Sequence, residues 1–228
     1  MPADYASPVP VIAIDGPSAS GKGTVAQGVA AALGFHYLNS GALYRTVALA
    51  ALESGVDLEN ESRLSDITLN IKAYFNGDVV VLEGHDVTDT LRAEHISEAA
   101  SKIAALARVR TALLECQRGY RHPPGLVADG RDMGSVVFPD AVLKIFLTAS
   151  AEARAERRYK QLMEKGMDAN MTALLQDIRE RDKRDSVRAV APLKKCADAV
   201  LLDSTGVPAG EVVAQVLALY EERVKMAP

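Results

Sequence analysis

The sequence predicts a doubly wound α/β fold, and three features predict it. Five short, almost wholly apolar runs (11–14, 36–38, 126–128, 142–147 and 199–202) alternate with longer stretches of helical periodicity. Most are too short and too uniformly apolar for a half-exposed sheet, which suits parallel strands covered on both faces. Strand–helix alternation at this spacing is the pattern of βαβ units in a five-stranded parallel sheet.

Taken in order, the first strand, 11–14, stops at Asp15 and runs into a loop of small residues, then a helix over 24–33. The second strand, 36–38, feeds a helix over 42–54. The segment "LNIKAYFNGDVVVLEGHDVTD" then breaks the alternation. Asn76-Gly77 separates two β-prone runs and fits a type I′ hairpin, whose central residues need positive φ. Gly84-His85-Asp86 offers a second turn, so a small antiparallel β lobe is expected as an insert. It could bind substrate or be a plain surface hairpin. A helical region follows over 96–119, then the strands 126–128 and 142–147. Helices over 151–165 and 172–185, the last strand and a final helix over 210–225 complete the chain.

Composition bounds the function. At 228 residues, with 48% hydrophobic and 25% charged side chains, the chain suits one large domain or a core with inserted lobes. A net charge of −4 argues against a protein that coats nucleic acid. No apolar run has membrane-spanning length, and no basic region followed by an apolar stretch opens the chain, so neither membrane partner nor secretion is expected. Cys116 and Cys196 lie far apart with no metal-ligand spacing, and are read as buried small hydrophobes in a reducing cytoplasm.

The loop Gly16-Pro17-Ser18-Ala19-Ser20-Gly21-Lys22-Gly23-Thr24 lies between a strand and a helix, the setting of a P-loop. Glycines let backbone N–H groups approach phosphates, the new helix presents its positive end, and Lys22 reaches the β and γ oxygens. Thr24 offers a hydroxyl to Mg²⁺. Gly23 stands between the lysine and the threonine, and Gly-Lys-Gly-Thr resembles the loop of nucleoside monophosphate kinases. No Asn-Lys-x-Asp or Thr-Lys-x-Asp element for guanine occurs, which argues against a GTP-dependent switch.

Three further stretches carry charge. In "YLNSGALYR", Ser40 starts a helix whose next turn carries Arg45; the serine can cap the helix, or the two can form a second anion site. In "VADGRDMG", Asp129 ends a strand and is followed by Arg131 and Asp132; ligands gather at such strand ends, so Asp129 is placed to hold Mg²⁺ through water and Arg131 to touch phosphate. In "RERDKRDSVRAVAP", Arg181, Asp185 and Arg188 recur at i, i+4 and i+7, with Arg184 beside them. That face is either solvated or the closing clamp of a lid, which Arg154, Arg157 and Arg158 could also arm.

The stretches "GPSASGKGT", "SGALYR", "SEAASKIAALARVR", "PGLVADGRDMGSVVFPDAVLKIFL" and "RDSVRAVAPL" together resemble the bacterial cytidylate kinases, in order and with compatible spacing from about residue 11 to the last helix. The resemblance implies a P-loop core (about 1–39, 120–153 and 190–228), a monophosphate-binding lobe (about 40–119) and a helical lid (about 154–189). It implies a monomeric cytoplasmic enzyme that uses Mg²⁺-ATP to phosphorylate CMP and dCMP. By matching position, Ser101, Arg110 and Asp132 would face cytosine, Arg181 and Asp185 the ribose, and Arg45, Arg131 and Arg188 the acceptor phosphate. Arg157 and Arg184 would lie on the ATP side, and Lys22, Arg131 and Arg188 would be catalytic. Ala19 departs from the family's loop, which commonly has glycine there; a methyl at positive φ costs on the order of 1 kcal/mol.

The chemistry implied needs no general base. The attacking phosphate oxygen has a second pKa of about 6 and is already ionised near neutrality. Catalysis reduces to positioning and charge neutralisation, with water kept out by a lid. The four histidines are expected to do no chemistry. Cytosine's exocyclic amine donates where uracil presents an acceptor, so Asp132 should favour CMP. A UMP or AMP kinase, or a nucleotide-binding regulator, are the competing readings.

Overall fold

A computed structural model describes residues 9–76, 79–164, 166 and 168–226. The chain opens with β1 (Val11–Asp15), α1 (Lys22–Leu33), β2 (His36–Asn39) and α2 (Ser40–Glu53). The inserted segment holds α3 (Glu61–Asn70), β3 (Ala73–Asn76), β4 (Val79–Leu82), β5 (His85–Asp86), a 3-10 turn at Thr90–Arg92, α4 (Glu94–Ile103) and α5 (Ala107–Arg118). Then come β6 (Leu126–Gly130), a single π-helical turn (Met133–Val137) and β7 (Leu143–Thr148). The chain closes with α6 (Ala151–Glu164), α7 (Met171–Val187), β8 (Val200–Asp203) and α8 (Ala209–Met226).

Five strands form one parallel sheet in the order β2-β6-β1-β7-β8. β1 lies at its centre and is buried throughout, because period-two alternation sends its side chains into two different cores. Val11 and Ala13 pack with Leu38, Val47, Leu126 and Phe138 on one face. Ile12 and Ile14 pack with Val25, Val29, Ile145, Leu147 and Val216, under α1 and α8, on the other. Each large aliphatic chain buried this way contributes about 1.5–3 kcal/mol. β6 is equally buried, whereas β7 alternates and the edge strand β8 is half covered. Uniformly apolar strands are therefore a property of the sheet's centre.

Register brings the site together. Asp15 pairs with Gly130 and Asn39 with Asp129, so β1, β2 and β6 end side by side. The loop after β1, the start of α2 and the turn after β6 thus share one edge of the sheet, where open α/β folds hold ligands.

The inserted antiparallel sheet has the order β3-β4-β5. Asn76 pairs with Val79, so the connection is residues 77–78, one position beyond the expected Asn76-Gly77 turn; its conformation lies outside the described residues. The helical region 96–119 divides at 104–106 into α4 and α5. α3 was not expected from the sequence, and only Leu64 and Thr68 of it are buried, too narrow an apolar face to show as periodicity. The expected end of α6 at Lys165 lies outside the described residues. Both cysteines are free thiols, but Cys116 is exposed and Cys196 half-buried, so neither is the core residue the sequence predicted. Among the described residues no helix is long and apolar enough to cross a membrane.

Candidate active site

A cleft of about 430 Å³ opens at these strand ends, walled by the loop after β1, the first turns of α2, α4, the turn after β6, and α7. Its two ends are built differently.

The β1 end is built from backbone. A side chain at Gly16 would overlap the carbonyl oxygen of Leu147, so the loop can pass β7 only as glycine. Gly21 has φ +88°, which turns the loop into α1. Ala19 has φ +58°, so the left-handed conformation that glycine would suit is carried by an alanine, with its methyl penalty. Lys22 is buried and its Nζ donates to the Pro17 carbonyl at 3.0 Å. Burial pushes the Lys22 pKa down, with Arg131 adding to this and Asp129 opposing it. Burial pushes Asp129 up, with Lys22 its largest opposing influence. Each group thus helps keep the other ionised. Tyr37 Oη donates to Asp129 Oδ1 at 2.8 Å.

Thr24 is exposed and does not line the cleft. Of the arginines expected to arm the lid, Arg157 donates to Ser20 O and Ser204 Oγ, both at 3.1 Å, and to Ser204 O. Arg154 likewise donates to Ser18 O at 3.1 Å and pairs with Asp182. These two brace the phosphate loop and are absent from the cleft wall. Arg158 does line the cleft, and pairs at 3.0 Å with Glu94, tying α6 to α4.

The other end is built from charged side chains. Arg110 pairs with Asp132, donates to Ala104 O at 3.1 Å, and lies 5.9 Å from the Tyr44 ring centre. Burial pushes Asp132 up, with Arg110 the strongest opposing charge. Arg131 Nε donates to Asp185 at 2.7 Å. Burial would raise Asp185, but Arg131, Arg181 and Arg188 together outweigh it and the carboxyl sits below its ordinary value. Burial pushes the Arg45 and Arg188 pKa values down, and that of Arg181 down to about 10. α7 ends at Val187, so Arg188 stands just past the helix, where its Nε donates to Ala191 O at 2.6 Å.

Among the described residues, Arg45 Nε, Ser101 Oγ, Arg181 Nε and Arg188 Nη2 are buried with no hydrogen-bond partner, and all four residues line this cleft. Buried polar atoms are normally paired. Buried guanidinium donors without acceptors, in one cleft, suit an anion.

Ser40 is buried in the cleft wall, and the cap of α2 is Asn39, whose side chain accepts from Ala42 N at 2.9 Å. Ser40, Arg45, Ser101, Arg110, Asp129, Arg131, Asp132, Arg181, Arg184, Asp185 and Arg188 are all brought to this one cleft, with Ser18, Ala19 and Lys22. None of the four histidines lines it.

The cytidylate kinase family profile matches residues 12–222. The chain belongs to the cytidylate kinase family. A cytidylate kinase of Nitrosomonas europaea is 56% identical over 217 residues, covering 95% of this chain and 97% of that one. Another, from Burkholderia pseudomallei strain K96243, is 58% identical over 215 residues, covering 94% of each. Among solved structures, a gluconokinase from Sinorhizobium meliloti 1021 superposes with a TM-score of 0.50 at 18% identity, over 94% of this chain and 93% of that one. That likeness is one of fold.

Three residues of the site went unassigned from sequence. Tyr37 and Tyr44 lie in the stretch 37–45, which was read only for Ser40 and Arg45. Asp15 read as the point where an apolar run ends; a carboxylate closing a central strand was the available signal.

Proposed function

We propose that this member of the family transfers the γ-phosphoryl group of ATP to CMP and dCMP, giving ADP and the nucleoside diphosphate. The observation that carries the proposal is a single cleft with a phosphate loop at one end and buried, acceptor-less guanidiniums beside a buried carboxylate at the other.

The acceptor's phosphate is drawn to Arg45, Arg131 and Arg188, and its ribose to Arg181 and Asp185. Asp132, held by Arg110, accepts from the exocyclic amine of cytosine and repels the O4 of uracil. Ser101 Oγ is within the same wall and supplies a further polar contact. At the other end the loop 16–24 and Lys22 cradle the donor's phosphates, with Arg184 at the cleft wall. The acceptor oxygen is already anionic, so it attacks the γ-phosphorus in line as the bond to the bridging oxygen of ADP breaks. The residues hold two repelling anions end to end and neutralise the charge that builds between them.

The family implies Mg²⁺ with ATP. Among the described residues no cluster of three or more His, Cys, Asp or Glu could cage a metal, but a magnesium ion carried on phosphates needs only one or two protein oxygens. Buried Asp129, in the cleft wall, fits through water, whereas Thr24, expected as a second donor, is exposed and lies outside that wall. When bound, the ion withdraws charge from the β and γ oxygens. Tyr37 holds the Asp129 carboxylate in place.

Phosphorus NMR of protein mixed with magnesium, ATP and CMP tests this. ADP and CDP should appear in equal amounts; ADP appearing alone, or no reaction, would overturn it.

A further inference from the structure

Asp132 occupies the position from which an aspartate would ordinarily cap a helical turn. It precedes the π-helical turn Met133–Val137, its own carbonyl accepts from Val136 N at 2.9 Å and Val137 N at 3.2 Å, yet its side chain makes no capping bond. An aspartate there is usually drawn back onto the first N–H groups of its own turn. Here the first two N–H groups of the turn are engaged from elsewhere, which leaves only that of Ser135 for a cap from Asp132. Met133 N–H donates to Asp15 Oδ1 and Gly134 N–H to Asp15 Oδ2, both at 2.8 Å. The two carboxylate oxygens of Asp15 each take one N–H, so neither of those two is left for Asp132.

Asp15 is the last residue of β1 and directly precedes Gly16, the first glycine of the phosphate loop. It is buried, and no salt bridge to it occurs among the described residues. The turn lies close: a side chain at Gly134 would stand 3.5 Å from Asp15 Oδ2 and 3.1 Å from Lys144 Cδ. Burial of an acidic group without a cation costs free energy, and its carboxyl is pushed up to about 6 by that burial, with the two N–H bonds opposing. A helix cap supplied by an ordinary serine or threonine would avoid that cost. The costly arrangement makes sense if its product is an Asp132 carboxylate released to point at Arg110 and the cleft.

We propose that Asp15 is a positioning residue for acceptor specificity: it caps the turn after β6 in place of Asp132, and so frees Asp132 to read the base. This rests on the base-reading role of Asp132 proposed above. The same division of labour occurs at α2, where Asn39 caps and the adjacent Ser40 faces the cleft.

The test is Asp15→Asn, which keeps the shape and replaces one accepting oxygen by a donor facing an N–H. Asp132 should then fall back onto its own turn. kcat/KM for CMP should drop about ten-fold or more, with the loss mainly in KM, while UMP turnover changes little and KM for ATP stays within two-fold. In an Asp132→Asn background the same change should leave the CMP:UMP ratio unaltered, because the reader is already gone. Equal losses for CMP, UMP and ATP, or an unchanged CMP:UMP ratio in the single variant, would overturn the proposal. If Asp15→Asn does not fold, the wild-type protein serves: through-hydrogen-bond couplings from the Asp15 carboxyl carbon to the amide nitrogens of Met133 and Gly134 should be present with CMP bound, and their absence would overturn it. A wild-type protein that makes no CDP would instead count against the proposed function itself.

Discussion

The two ends of the cleft, proposed to take a phosphate chain and a phosphate monoester, are built by different means. At the β1 end, contiguous backbone does the work: Gly16 where no side chain fits, Gly21 at positive φ, and one lysine. At the acceptor end, side chains from α2, α4, α5, α7 and the turn after β6 converge, and several of their polar atoms have no protein partner. A backbone cradle recognises any polyphosphate, because N–H groups are the same whatever the residue. Reading one base among several requires placed side chains, and those must be held against their own electrostatic cost. On the proposed assignment, specificity is concentrated in the end that is more expensive to build.

The contrast can be broken most forcefully at Lys22. Lys22→Met removes the only side-chain charge of the cradle and should lower kcat by about a thousand-fold or more, with the melting temperature changed by only a few degrees. Loss of folding, or full activity, would contradict the division described. Arg188→Ala acts on the other end: kcat/KM for CMP should fall about a hundred-fold while KM for ATP is preserved, since a buried charged contact to the acceptor is lost. A matching rise in the KM for ATP would mean that the two ends are not separable.

Asp15 gives a pH signature. Its carboxyl is raised from 3.8 to about 6, so the native chain keeps a proton that the unfolded chain has released. The stability linked to that proton is fully present below pH 3.8 and is lost as pH rises through about 6. Relative to Asp15→Asn, which does not titrate, wild-type stability should fall by about 3 kcal/mol across that window in denaturant titrations. A difference independent of pH would contradict it. The smallest expected effect sharpens the cradle: Ala19→Gly relieves the strain of φ +58° but adds chain entropy to the unfolded state, a net stabilisation of about 0.5 kcal/mol. Destabilisation would mean that the methyl makes contacts outweighing the strain.

The same contrast governs what the sequence revealed. The cradle was legible because its residues are consecutive and their types are dictated by backbone geometry. The parallel sheet was legible because β1 and β6 are buried on both faces. The acceptor residues could be named through resemblance, but their pairing could not: that Arg110 meets Asp132 and Arg131 meets Asp185 depends on how separate elements pack. Arg157 illustrates the limit, since its charge and helical position were legible while its hydrogen bonds to Ser20 and Ser204 depend on packing. Asp15 illustrates it again, because its partners lie 118 and 119 residues away. α3 escaped because two buried residues leave no periodic trace.

On the proposed assignment, a carboxylate at the acceptor end chooses the base while the backbone cradle stays indifferent to it. The direct measurement is kcat/KM for CMP and UMP, with magnesium and ATP, in the wild-type protein and in Asp132→Ala. CMP should lead in the wild type, and Asp132→Ala should bring the two together with KM for ATP unchanged; an Asp132→Ala enzyme that keeps the full preference for CMP would contradict the account.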